Sequence, residues 1–204
     1  MTDDVADLVL AYTAGQAQAL SLDSRRSIRD YEAFVDLIDD MAGAVLLNRA
    51  DEFVPRRKDL LACPTRERGI ARPLLSVLLG YAKMSVYQLL LETRFPDSPG
   101  ARPFLEGYFP ALLRDRFAEH FEEHVLRREI VATAAVNYLV NRGGITLLPR
   151  LMGGATVEIG EAVAAWVGVD REAEAPGLRE ALLASRRPAA EEQEALLEIE
   201  DALV

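Results

Sequence analysis

Between Pro73 and Leu91 the apolar side chains fall on nearly every face of a helix. Leu74, Leu75, Val77, Leu78 and Leu79 lead into Tyr81, Met84, Val86 and Tyr87, and Leu89, Leu90 and Leu91 close the run. Pro73 suits the first helical turn, where its missing amide proton costs nothing. A helix that is apolar all round must be covered on several sides. The chain therefore has to surround it with other elements, and it is expected at the centre of the domain. The same run is the best membrane candidate. Lys83 at its middle would cost about 2.5–3.5 kcal/mol at a bilayer centre on insertion scales. A buried helix of a soluble bundle, with no membrane partner, is the expectation.

The surrounding elements read as helices too, and strand patterns are nearly absent. Leu8, Tyr12 and Leu20 make an apolar face on a first helix from about Asp3. Asp23-Ser24 is expected to cap a second, in which Ile28, Tyr31, Val35, Ile38, Ala42 and Val45 recur at helical spacing. Residues 55–69 form a charged connector with a short helix around Arg57 to Ala62. A loop over Phe95 to Pro103 precedes a long helix. Tyr108-Phe109-Pro110 opens that helix, Arg142 ends it, and Gly143 is the expected left-handed stop. A short helix near Ile145 to Met152 follows, then a break at Gly153-Gly154 and a helix capped by Thr156 that carries Trp166. Pro176 and Pro188 mark two further starts. The predicted fold class is all-α: a multi-helix bundle with a long central helix near 110–142 and the buried apolar helix near 73–93. Residues 1–168 are expected to form the bundle, with 169–204 an acidic helical tail packed on it.

The 204 residues suffice for a core, since a chain this long buries roughly 70% of its unfolded surface. Cys63 is the single cysteine, so no internal disulfide can form, which favours the cytoplasm. A net charge of -10 repels a phosphate backbone, and no nucleic-acid partner is expected. The N-terminus is acidic and does not resemble a secretory signal. No two of the 13 glycines are separated by a single residue, so the tight dinucleotide turn is missing and no cofactor-binding residue is assigned. The strongest local motif is His120-Phe121-Glu122-Glu123-His124. On one helix, His120 and His124 would share a face and could hold zinc, with Glu123 as general base. This makes a zinc-dependent hydrolase an alternative function; the competing reading is two histidines flanking an apolar seam. Lys83 is read as a lysine whose stem lies on apolar surface while its head reaches water. With Arg127, Arg128, Asn137, Asn141 and Arg142 it makes a set of mixed polarity, taken as interface candidates. No catalytic residue is assigned.

Several ordered segments carry a family resemblance. They are Leu8-Val9-Leu10 with Gln18-Ala19-Leu20-Ser21; Arg72-Pro73 with Val77-Leu78-Leu79 and Tyr81-Ala82-Lys83-Met84; Tyr108-Phe109-Pro110; Leu126-Arg127-Arg128-Glu129-Ile130 with Ala132-Thr133; and Asn141-Arg142-Gly143-Gly144. In order and spacing the chain resembles the C-terminal helical region of the large bacterial NAD-specific glutamate dehydrogenases, from Val5 to about Met152. Leu74 stands where the family usually has an acidic residue. The resemblance implies a parent that oxidises L-glutamate with NAD to 2-oxoglutarate, ammonia and NADH. The family's substrate lysines and glycine-rich cofactor loop lie upstream of the resembling region. The expectation is therefore a non-catalytic domain, inactive alone, that packs against, positions or helps to oligomerise a catalytic domain. A free-standing helical adaptor is the third reading.

Overall fold

A computed structural model describes residues 2–44, 46–153 and 157–204. Among them there are eleven α-helices, short 3-10 turns and no strand, as the periodicity predicts. Val45, Gly154 and Thr156, which figured in the helix expectations, lie outside the described residues.

The first helix, α1, runs over Thr2–Arg29 without a break at Asp23-Ser24. Asp23 does not cap a second helix, because its carboxylate is fully buried and taken by a neighbour on α1 and by a remote amide. It accepts from Arg26 Nη1 at 3.0 Å and from the backbone of Ile145 at 3.2 Å. The cap falls instead to Asp30, which accepts from the amide of Ala33 at 3.1 Å and opens α2, Tyr31–Gly43. Phe34, Val35, Leu37, Ile38 and Met41 form its buried face. The connector holds α3, Arg57–Leu61, and its end is pinned to α1 where Ile70 donates to the Ser27 hydroxyl at 2.9 Å.

Helix α4, Arg72–Glu92, is the apolar helix, with a proline in its first turn. Its length and composition would suit a membrane crossing, but it packs on α1 and α7. Leu79, Val86 and Leu90 belong to one core, with Phe104, Val131, Ala135 and Trp166. Leu75, Leu78 and Ala82 belong to a second, with Phe34, Val35 and Ile38. Burial on several sides thus takes the form of two separate cores. Met84 and Leu89 face outward.

The long helix expected near 110–142 is broken. After α5, Arg102–Tyr108, comes α6, Ala111–Phe117, then a 3-10 turn over Ala118–Glu123, and only then α7, Arg127–Gly143. The reason is a phase jump in the apolar stripe. Phe117, Phe121 and Val125 follow one line, and Leu126 and Ile130 begin another. The turn buries Phe121 in a stack on Phe109, with ring centroids 4.3 Å apart. Val125 at the break is 91% exposed. Helix α7 is nevertheless the centre of the fold and touches α1, α4 and α5. Ala132, Ala134 and Ala135 are buried there, and side chains this small let neighbouring helices come close.

Helices α8, Leu147–Met152, and α9, Ile159–Glu172, follow, the latter burying Trp166. The acidic tail folds as α10, Ala175–Ala184, and α11, Ala189–Ala202, with Pro176 in the first turn of one and Pro188 at the N-cap of the other, so both prolines mark helix starts as expected. Leu196 and Leu197 of α11 meet Leu22 of α1. Acidic and amide groups of α11 also meet the basic end of α1: Arg25 Nε donates to Gln193 at 2.7 Å, and Arg29 lies 3.3 Å from Asp201.

The stop of α7 is Gly144, one residue later than expected, with φ +80°. A Cβ there would lie 2.1 Å from Asp23 Oδ1 and 2.2 Å from Arg26 Nη1. Both the dihedral and the contact demand glycine. Gly144→Ala is expected to cost more than about 2 kcal/mol, combining left-handed strain with disruption of a buried charge pair. Gly80 in α4 has open space around its position and serves as the control. Gly80→Ala should be neutral or stabilise by up to about 1 kcal/mol, through helix propensity. Urea unfolding of the two variants checks both values.

Candidate functional site

A cleft of about 560 Å³ brings several polar groups together. One turn after another of α1 supplies a wall: Leu8, Tyr12, Gly15 and Gln18. Phe104 of α5 faces it, Asn137, Asn141 and Arg142 of α7 form the floor, and Arg179 of α10 and Glu200 of α11 close the far side. Gly15 allows the near approach of α1 to α7, since a Cβ at that position would sit 3.1 Å from Asn141 Nδ2.

The floor holds a compact set of charges. Arg179 makes a two-pronged bond to Glu200, Nε to Oε1 at 2.7 Å and Nη2 to Oε2 at 2.9 Å. The same Nη2 lies 2.6 Å from Asp170 Oδ1 of α9. Tyr138 donates its hydroxyl to the other oxygen of Asp170. Burial, helped by this acidic acceptor, pushes the Tyr138 phenol up to about 12. Arg142 lies with its guanidinium carbon 3.6 Å over the Tyr138 ring, and its Nη1 donates to the Tyr138 carbonyl at 3.0 Å. Burial holds the Arg142 pKa below the usual arginine range. Beneath the floor, Arg26 Nη2 donates to the Arg142 carbonyl at 2.8 Å.

The six interface candidates fall into three places. Lys83 and Asn137 are direct partners, Nζ to Oδ1 at 2.8 Å, across α4 and α7. The amine reaches a neighbouring amide, where the sequence suggested water. Asn141 and Arg142 line the cleft next to this pair. Arg127 and Arg128 stand apart at the start of α7, where both engage Asp97. Arg128 also donates to the Leu91 carbonyl at 2.7 Å and the Thr93 carbonyl at 3.1 Å, and so ties off the end of α4.

The helical premise behind a zinc pair is overturned. His120 lies in the 3-10 turn, and His124 follows it in extended backbone, φ -65° and ψ 128°. The two imidazoles therefore do not share a helix face. His124 Nδ1 instead accepts from the amide of Leu126 at 3.1 Å. Among the described residues no cluster of histidine, cysteine and carboxylate side chains could hold a metal.

Sequence reasoning missed Tyr138, Asp170, Arg179 and Glu200. One signal was available for Glu200: it lies three and four residues after Leu197 and Leu196, on the same face of a helix. Nothing comparable marks Arg179 or Asp170, whose partners are remote in sequence.

Burial lowers the Lys83 pKa from 10.5 to about 8. Between those values the unfolded chain holds more protons than the folded one, so the cost of burying the charge fades as pH rises. Lys83→Gln keeps a donor for Asn137 without the charge. The unfolding free energy of the wild type should gain about 1–2 kcal/mol on that variant between pH 7 and pH 10, allowing for partial solvent screening. Urea unfolding at pH 7, 8.5 and 10 measures the gap.

Comparison with known proteins places this architecture. The chain is 39% identical over 151 residues to the NAD-specific glutamate dehydrogenase of Pseudomonas aeruginosa, covering 74% of this chain and 9% of that protein. It is 38% identical over 155 residues to the enzyme of that name from Halomonas elongata, again covering 74% and 9%. For the Mycobacterium tuberculosis protein of the same name the figures are 31% over 170 residues, 83% and 10%. The chain thus spans about a tenth of the length of these curated relatives. No solved structure matches it. The family model described as "Glutamate dehydrogenase, C-terminal" matches residues 67–199. The chain belongs to the glutamate dehydrogenase C-terminal family.

Proposed function

We propose that this domain is a non-catalytic part of an NAD-dependent glutamate dehydrogenase, and that it packs against and positions the catalytic domain. The parent reaction would convert L-glutamate and NAD to 2-oxoglutarate, ammonia and NADH, with NAD held outside this domain. One observation carries the reading: most of this chain aligns with only 9–10% of each relative, all of them named NAD-specific glutamate dehydrogenases.

The surface supports a docking role. Val5, Val9 and Leu10 of α1 are exposed, as are Leu112, Val125 and Leu126 around the break before α7. Exposed apolar groups of this kind suit contact with another part of a larger polypeptide. The candidate arginines are less suited, because Arg127, Arg128 and Arg142 already bond within the domain. In the assembled enzyme the same surface would contribute to a homo-oligomer, and the single cysteine suits the reducing cytoplasm.

Purified residues 1–204 are expected to produce no NADH from glutamate and NAD, followed by absorbance at 340 nm. The domain should associate with the separately produced catalytic region of a relative. Leu10→Asp combined with Val125→Asp should weaken that association at least tenfold, because two apolar contacts are replaced by charge. Both positions are exposed, so the circular dichroism spectrum should not change. Turnover by the domain alone, or association that the double substitution leaves intact, would contradict the proposal.

A further inference from the structure

We propose that the cleft between α1, α5, α7 and α10 binds a small organic carboxylate with an apolar tail, and that Arg142 is its anchor.

Asp170 and Glu200 are both buried and both turned onto Arg179. Arg142 lines the same cleft, and among the described residues no carboxylate pairs with it. It is held by a carbonyl and an aromatic face, and Glu200 and Asp170 act on it only through space, from beyond salt-bridge distance. Removing such a charge from water is costly unless an anion meets it. A planar guanidinium with free edge positions suits a carboxylate, which can take two parallel N–H bonds.

Arg142 Nε and Arg179 Nη1 are buried donors without partners, and Asn141 Oδ1 is a buried acceptor without one. The formal charges balance, Arg142 and Arg179 against Asp170 and Glu200, but both carboxylates are committed to Arg179. At the rim Arg171 and Glu180 offset each other, and Tyr12 and Gln18 add neutral polar groups. The remaining walls are apolar: Leu8, Ala11, Leu22, Phe104 and Leu183. A volume of about 560 Å³ lies in the range of small-molecule sites, which combine apolar walls with a few fixed polar groups. The geometry thus accommodates a carboxylate head at Arg142 and an alkyl or aryl tail along α1 and α5. This inference is independent of the docking reading, because it concerns the domain by itself.

The test titrates 15N-labelled residues 1–204 with hexanoate and, separately, with hexanamide, which has the same tail and no charge. The amide signals of Tyr12, Gly15 and Asn141 should move saturably with hexanoate, and hexanamide should bind at least tenfold more weakly. Arg142→Gln should lose at least tenfold in hexanoate affinity. Ala11→Trp fills the cleft from its exposed wall without touching the buried charges, and should abolish the response even if the arginine variant fails to fold. Equal binding of acid and amide, no saturation by hexanoate, or an undiminished response in Ala11→Trp or in folded Arg142→Gln would each overturn the proposal. So would a response to N-acetylglutamic acid 1-amide where hexanoate gives none. That result assigns the carboxylate to the side chain of a docked polypeptide.

Discussion

The buried pair of Asp23 and Arg26 is the interaction on which the arrangement of the helices depends. Both residues lie in α1, yet most of their bonds are spent on the end of α7. Asp23 receives the Ile145 amide, Arg26 donates to the Arg142 carbonyl, and Gly144 leaves the room they need. The helix end would otherwise expose orphan carbonyls inside the protein, and satisfying them is obligatory rather than optional. The pair fixes where α7 stops against α1. The position of the cleft floor follows, because Asn141 and Arg142 occupy the last turn before that stop. A buried ion pair is weak evidence of stability by itself. Here it specifies register between two helices far apart in sequence.

The sequence was legible where local physics decides. Pro73, Pro176 and Pro188 each opened a helix as their fixed geometry requires, and the all-helical class followed from periodicity. It failed where a remote partner outbid the local signal. Asp23 has the look of a helix cap, but an amide more than a hundred residues away uses its carboxylate. Phe117, Phe121 and Val125 fit a helical stripe, yet stacking of Phe121 on Phe109 favours a tight turn. The phase change at Leu126 was visible in the spacing, and it marks the break. The site shows the same division. Arg142 and Asn141 stood out beside the double glycine. Arg179 looks like an ordinary surface charge of an acidic tail until folding brings it to Glu200.

Membership of the glutamate dehydrogenase C-terminal family gives these features a context. The tail, α10 and α11, completes the cleft and covers Leu22 of α1. Arg179, Asp170 and Glu200 join three elements, α9, α10 and α11, through one guanidinium. The tail is therefore fastened to the remainder by buried charge as well as by apolar contact.

Helix α4 belongs to two cores at once, with alternate turns and faces committed to different neighbours. A helix shared in this way couples their fates. Neither core can open by itself without stripping cover from a segment the other requires. The two are therefore expected to melt as one cooperative unit, with amide protons at the middle of α4 among the slowest to exchange with solvent.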